Sequence, residues 1–205
     1  PADGREKAGQ AHAQFADPHS EFVAILNLWE AYRVAHEELT QSKLRDWCER
    51  RFLGFLRMRE WRELHRQLLL TCEELGWDPA QPSRFPPDGR SDGAGAGERN
   101  ASGTRTAQAA LHRALIAGLP TQVAHRGEKG MYDAPRQRKF QLFPGSSLAK
   151  LPPSWVLVAT VIDTQKVWGM TAARIEPEWV MAELPHLLAR KHFDPHWSRA
   201  QGRVV

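Results

Sequence analysis

The side chains best suited to chemistry in this sequence are cations and aromatic rings that alternate over residues 132–174. Lysine and arginine neutralise phosphates and release their counterions, while aromatic rings stack on bases. Such a mixture is typical of a surface that binds a single-stranded nucleic acid. The cations are Arg136, Arg138, Lys139, Lys150, Lys166 and Arg174, and the rings among them are Tyr132, Phe140, Phe143 and Trp168.

The same residues also have a structural interpretation, in which the rings form a core and the cations form a solvated rim. We expect Phe140 and Phe143 to lie in the core, because large aromatic side chains bury most of their surface. We expect Lys139, Lys150 and Lys166 to contact a nucleic-acid backbone.

The sequence contains no clear motif for covalent catalysis or for nucleotide hydrolysis. The glycines at 127 and 130 lack the spacing and the Ser or Thr of a phosphate-binding loop. The segment Gly145-Ser146-Ser147 lacks the second glycine of a nucleophile elbow, so its hydroxyl and N–H groups are expected either to contact a phosphate or to close a hairpin. The histidines near the C-terminus lack zinc-binding spacing, so no catalytic residue, metal or cofactor is expected in this chain.

The net charge of +4 is unevenly distributed. Residues 1–106 carry −2 and residues 107–205 carry +6, so the excess positive charge lies in the second half. No run approaches the roughly 20 apolar residues that span a bilayer. A cytoplasmic protein with no membrane partner is therefore expected.

Helical periodicity dominates residues 17–118, which are predicted to form a helical domain. We expect the first helix to begin at 17–18, the second to be capped by Ser42, and the third to run from about Met58 to a C-terminal cap at Gly76. The predicted inward faces include Ile25, Phe52, Leu64, Leu68 and Leu75. Residues 78–105 are rich in Pro, Gly and Ser and are predicted to be a flexible linker, followed by a helix over 107–118.

Apolar and β-branched segments separated by turn residues then predict five strands, over 121–126, 131–134, 139–143, 155–163 and 166–175. A helix should start at Pro177, because proline suits the first helical position. The expected fold class is α+β: an N-terminal helical bundle, then a five-stranded OB-type β-barrel over 119–190 with a C-terminal helix.

Several motifs, in order over residues 17–203, resemble the C-terminal accessory region of DEAH-box RNA helicases, in particular the bacterial HrpA-type branch. The motifs are His19-Ser-Glu-Phe-Val-Ala-Ile-Leu-Asn-Leu-Trp, Trp47-Cys-Glu-Arg-Arg-Phe-Leu, Met58-Arg-Glu-Trp, Leu111-His-Arg-Ala-Leu-Ile-Ala-Gly-Leu, Arg138-Lys-Phe-Gln-Leu-Phe-Pro-Gly-Ser-Ser-Leu, Arg174-Ile-Glu-Pro-Glu-Trp and Pro195-His-Trp-Ser-Arg-Ala.

The resemblance implies a ratchet-like helical domain and an OB-fold packed against two motor domains of the same polypeptide. Single-stranded RNA would pass between them while the motor hydrolyses ATP with magnesium. Carried onto this chain, the resemblance makes Ser146, Ser147, Thr164 and Lys166 expected contacts to RNA or to the motor. The alternative is a regulatory module that binds proteins, including an activator, without touching RNA.

The resemblance also sets expectations for the ends of the chain. Residues 1–16 are expected to be disordered or the tail of a preceding domain, and residues 191–205 resemble the start of a following domain. The chain has no P-loop and no Asp-Glu-Ala-His motif, so we do not expect it to hydrolyse ATP alone.

Overall fold

The helical half of the molecule is built on a cluster of aromatic residues. The computed structural model describes residues 2–78, 97–188, 197–198 and 203–204, with side chains for residues 4–78 and 107–188. Its first helices are α1 (Ala2–His12), α2 (Glu21–Glu38), α3 (Gln41–Glu49) and α4 (Phe55–Glu74). Trp29, Tyr32 and Trp47 are buried between α2, α3 and the start of α4. The predicted helical bundle is present, held by burial of these large apolar surfaces.

The helix starts differ from the predicted positions. The Ser20 hydroxyl accepts a hydrogen bond from the Val23 N–H at 3.3 Å, so Ser20 caps α2. The carboxylate of Asp17 instead accepts from the N–H groups of residues 19 and 20 and forms the turn before the helix. The third helix of the chain, α3, starts at residue 41, so Ser42 lies inside it and is not its cap.

Five residues predicted to face inward are exposed. Ile25 is 41% exposed and Phe52 is 49% exposed, and Leu64, Leu68 and Leu75 are each more than half exposed. Phe52 has a φ of 55°, which ends the turn after α3 and directs its side chain away from the bundle.

The helix α5 (Gly97–Gly118) begins ten residues before the predicted start at 107. Residues 98–108 contain one Glu, two Arg, one Gln and two Ala, which favour helix and oppose the effect of the Gly at 103. The linker prediction is therefore wrong for residues 97–105, and residues 79–96 lie outside the described residues. At the other end, α1 and a 3-10 turn occupy residues 2–15; the predicted domain boundaries stay predictions.

The second half forms a closed barrel of β1 (Val123–Arg126), β2 (Tyr132–Asp133), β3 (Lys139–Leu142), β4 (Trp155–Asp163) and β5 (Val167–Arg174). The strand order is β1-β2-β3-β5-β4, closed by the antiparallel pairing of β1 with β4. The pairing of β3 with β5 is parallel. The helix α6 (Pro177–Glu183) follows and packs with α5 beneath one end of the barrel. The predicted α+β fold with a five-stranded barrel and a C-terminal helix is confirmed.

The interior of the barrel is tightly filled. Phe140 is fully buried and stacks on Tyr132, with ring centroids 5.8 Å apart. A Cβ added at Gly169 would lie 2.7 Å from the Phe140 ring and 2.9 Å from Val158. The glycine at this position therefore allows the phenylalanine to occupy the barrel axis.

The last described elements are short. The strands β6 (Trp197–Ser198) and β7 (Arg203–Val204) pair antiparallel with each other. The remaining residues of 189–205 lie outside the described residues. Among the described residues, no helix is both long enough and apolar enough to cross a membrane.

The helical half and the barrel are joined by backbone pairing. Ser20 forms an isolated antiparallel bridge with Ala173 of β5. The N–H of Arg174 donates to the His19 carbonyl at 2.8 Å. The residues just before α2 therefore continue the sheet beyond β5.

Candidate nucleic-acid interface

The outer face of β3 and β5 carries a row of polar, aromatic and cationic side chains. Along β3, Phe140 and Leu142 point into the core, so residues 139, 141 and 143 point outward. In the parallel ladder Gln141 lies beside Trp168. This register places position 139 beside position 166 and position 143 beside position 170.

Two aromatic residues stand on this face. Phe143 is 41% exposed, and its ring meets Trp168 edge to face at 6.1 Å and 86°. A Cβ at Gly145 would lie 2.9 Å from the Phe143 ring, so the loop after β3 closes over one side of that ring. The prediction of a core position is confirmed for Phe140 and wrong for Phe143, which Trp168 supports from outside the barrel.

The cations of this face differ in how freely they can meet a phosphate. The ammonium of Lys166 lies 5.8 Å from the centroid of the Trp168 ring, a cation–π contact. Lys139 forms a 2.9 Å ion pair with Asp133, and this hydrogen bond raises the pKa of Lys139. Arg138 and Lys150 are exposed, and within the described parts of the chain neither has an acidic partner.

A shallow cavity of about 260 Å³ opens on the same face. Its walls come from β2, β3, β5 and the loops around them, and residues 144, 149 and 152 make part of the lining apolar. Lys150 follows the wall residue Ala149 directly in sequence. The cavity is lined by Gly130, Tyr132, Gln141, Leu142, Pro144, Ala149, Pro152 and Trp168.

Hydrogen bonds attach the loop after β3 to the helical half of the molecule. The N–H of Ser147 donates to Glu21 at 3.1 Å, and the hydroxyl of Ser147 donates to the Asp17 carbonyl at 3.4 Å. Ser146 is 8% exposed, and its hydroxyl accepts from the Leu148 N–H at 3.3 Å. Both serines are thus engaged within the protein, and their role as nucleic-acid contacts stays a prediction.

The other predicted contacts lie at opposite ends of β5. Thr164 and Lys166 form the turn that enters β5, where the Thr164 hydroxyl donates to the Lys166 carbonyl at 2.9 Å. Arg174 ends the strand and pairs with Glu176 at 3.1 Å. At about 3.3 Å per residue, residues 166 and 174 are roughly 25 Å apart. The register therefore brings Lys139 and Lys166 together, with Thr164 in the same turn, whereas Arg174 lies at the other end of the strand. Arg138 directly precedes β3, and Lys150 follows the cavity residue Ala149.

Sequence reasoning missed two residues that shape this face. Gln141 was not predicted, and only the parallel register places it beside Trp168. Glu21 reads as an acidic residue in the first turn of a helix, yet its second carboxylate oxygen accepts from the N–H of Ala172 in the barrel at 2.6 Å. No local sequence signal reveals either contact.

The clusters and buried groups elsewhere in the described ranges 4–78 and 107–188 do not form a metal site. No three His, Cys, Asp or Glu side chains there are grouped to hold a metal ion. His112 is buried; its Nε2 lies 2.7 Å from the Ser20 hydroxyl, and its Nδ1 lies 2.6 Å from the Gln108 carbonyl. Burial lowers the pKa of His112, so the ring is a neutral structural link between α5 and the residues before α2.

The strand order of the barrel and this outer face define an OB-fold module attached to a helical bundle. In agreement, residues 111–187 match the family model described as the oligonucleotide/oligosaccharide-binding (OB)-fold. The OB-fold predicted from the strand pattern is confirmed.

Three proteins with similar sequences are RNA helicases by name. The chain is 33% identical over 207 residues to ATP-dependent RNA helicase HrpA of Escherichia coli (strain K12) and 30% identical over 206 residues to the HrpA homolog of Haemophilus influenzae. Both alignments include 100% of this chain and 14% of the relative. The probable ATP-dependent RNA helicase DHX35 of Homo sapiens is 25% identical over 191 residues, covering 91% of this chain and 23% of that protein. The resemblance to HrpA-type RNA helicases is confirmed, and the chain spans a small part of these relatives.

Proposed function

We propose that this chain is a nucleic-acid-binding accessory module of an ATP-dependent DEAH-box RNA helicase, and that the outer face of β3 and β5 binds single-stranded RNA. The observation that carries the proposal is the row formed by Lys166, Trp168 and Phe143 on the outside of an OB barrel. RNA is the proposed ligand because the relatives are named RNA helicases.

In this proposal, phosphates lie along the cations and bases lie against the rings. Arg138, Lys150 and Lys166 supply positive charge without an acidic partner in the described residues. Lys139 contributes only by exchanging Asp133 for a phosphate, so its net effect is smaller. Each base stacked on an aromatic ring contributes about 1–3 kcal/mol, which is sequence-tolerant because every base has a ring face.

We place the chemistry of the helicase outside this chain. ATP and magnesium would be bound by motor domains of the same polypeptide, in a cytoplasmic enzyme. The role of this module is to hold the strand beside the motor during unwinding.

Salt titration of RNA binding tests the proposal. We would measure the affinity of the 205-residue chain for a labelled single-stranded RNA by fluorescence anisotropy at salt concentrations from about 25 to about 200 mM. Counterion release changes the affinity strongly over this range. Log affinity falls as log salt rises, and each lost phosphate contact should make this slope shallower by about 0.7. Lys150→Glu with Lys166→Glu should therefore make it shallower by about 1.4.

Arg174→Glu is the matched control, because Arg174 is an exposed cation on the same strand but lies at its far end. The control should retain the slope of the unchanged chain. A loss in the control about half that of the double variant, in proportion to its single charge reversal, would show that only net charge matters. Absence of RNA binding at low salt would overturn the proposal.

A second candidate function is supported by the exposed surface of α4. Leu64, Leu68 and Leu75 share one helix face, and each is more than half exposed. Trp77, just beyond the helix, is 64% exposed. Such a surface fits a protein partner, and we propose the motor domains of the same polypeptide as its occupant, since this chain is only 14% of the length of its relatives.

The two functions respond differently to salt. Docking of an apolar surface should change little as salt rises, whereas backbone binding should weaken steeply. An activator protein on the α4 face is a further form of this alternative. In the intact helicase, Leu64→Ser with Leu68→Ser should lower ATP hydrolysis even without RNA if that face supports the motor.

A further inference from the structure

We propose that the cavity beside Trp168 is a subsite for one unstacked nucleobase, whose face lies on the indole ring while the Gln141 amide hydrogen-bonds its edge. This inference rests on the proposed function, because it requires that a nucleic-acid strand crosses the outer face of β3 and β5. It adds a base contact to a surface otherwise proposed to bind backbone.

The first support is the register of the two strands. Gln141 and Trp168 are direct partners in the parallel ladder, and both side chains leave the outer face. A flat ring lying on Trp168 would thus have its edge beside the amide. The side-chain amide of glutamine offers two donors and one acceptor with two lone pairs, which matches the adjacent donor and acceptor groups on a base edge.

The second support is that the side-chain amide of Gln141 is not engaged within the protein. Among the described residues, no hydrogen bond is made by its side chain. The amide lines the cavity and is not among the buried, unpaired polar atoms of the described residues, so its donors and acceptor remain available to a ligand that enters.

The third support is that the indole is held in place. Phe143 contacts it edge to face at 6.1 Å, and Lys166 lies 5.8 Å from its centroid. A ring fixed by its neighbours stacks on a base without losing further side-chain freedom.

The size and chemistry of the cavity favour a base over other ligands. Its volume of about 260 Å³ is just below the roughly 300–1,000 Å³ of typical small-molecule sites, which suits one flat ring system. The residues that line the cavity include Pro144, Ala149 and Pro152 but no lysine or arginine, so the cavity itself offers no cation to a phosphate. Lys150 follows the lining residue Ala149, and the Lys166 ammonium lies 5.8 Å from the Trp168 ring centroid, so both cations could meet phosphates beside an inserted base. That charge favours a nucleic acid over a neutral sugar.

A two-ligand comparison tests the subsite. We would measure binding of the 205-residue chain to a uridine decamer and to an abasic decamer of the same length and charge. Gln141→Leu keeps the size of the side chain but removes its hydrogen bonds, and we expect it to weaken uridine binding by about five- to tenfold while leaving abasic binding unchanged. Gln165→Leu, in the exposed turn outside the cavity, is the matched control and should change neither.

The outcomes separate this inference from the function on which it rests. If Gln141→Leu binds both decamers as the unchanged chain does, with a steep salt dependence, the subsite is refuted and the backbone interface stands. If the unchanged chain binds neither decamer at low salt, the proposed function fails and the subsite with it. Circular dichroism of the variants shows that a loss of binding does not come from unfolding.

Discussion

Replacing Glu21 should loosen the junction between the helical half and the barrel. One carboxylate oxygen accepts from the N–H of Ala172 at 2.6 Å, and the other accepts from the N–H of Ser147 at 3.1 Å. Hydrogen bonds to a charged group each contribute about 1.5–3 kcal/mol. Ala172 is fully buried, so its N–H would remain unpaired in a variant, whereas Ser147 is exposed and its N–H would regain water.

From these two contacts we expect Glu21→Ala to lower the free energy of unfolding by about 2–4 kcal/mol. Glu21→Gln retains one acceptor oxygen but turns an NH₂ group toward a backbone N–H, so its effect should be about 1–3 kcal/mol. Urea unfolding followed by circular dichroism measures both changes. An altered dependence on urea in Glu21→Ala would further indicate that the two halves no longer unfold together.

Glu60→Ala provides the control, because Glu60 pairs with Arg57 at 2.8 Å on an exposed helix face. Exposed pairs of this kind contribute about 0–1 kcal/mol. If Glu21→Ala were as mild as Glu60→Ala, the carboxylate would not be what joins the two halves, and the reasoning from its contacts would be refuted.

Two further predictions concern buried groups. The pKa of His112 is lowered in the folded state, so the contribution of this residue to folding stability should be fully present above about pH 6.5 and should fall as the pH drops below that value. His112→Gln should therefore reduce the difference between urea midpoints measured at about pH 8 and at about pH 5.5. An unchanged difference would contradict this. Gly169→Ala should lower the free energy of unfolding by about 1–3 kcal/mol, because the added Cβ meets Phe140 and Val158. Gly118→Ala is the control and should change it little, since no atom lies within 4 Å of its added Cβ. Equal melting temperatures for the two variants would contradict this explanation from packing.

Much of the barrel could be predicted from the sequence, because strand signals are local. Alternation of apolar residues and the turns at Pro144-Gly145 and Pro152-Pro153 placed the strands close to their observed bounds. The helix caps were harder to predict, because several polar residues near each helix start could serve as the cap. Ser20, the cap of α2, also contacts His112, and no local sequence pattern reveals that contact.

The site was predicted less completely, because its geometry depends on strand register. The cations were predicted from residue type alone, and their contact with RNA stays a prediction; only the length of β5 separates Arg174 from Lys166. Phe143 was assigned to the core because of its hydrophobicity, although it stands on the outer face with Trp168. The contacts that hold the loop after β3 come from Glu21, more than a hundred residues earlier in the chain.

Photo-crosslinking tests the central claim most directly. A single-stranded RNA carrying 5-bromouridine would be irradiated with the 205-residue chain, and the modified peptides identified by mass spectrometry. The account predicts adducts in peptides that contain Phe143 or Trp168, lost when unlabelled RNA competes. Adducts confined to the helical half, with the barrel unmodified, would contradict it.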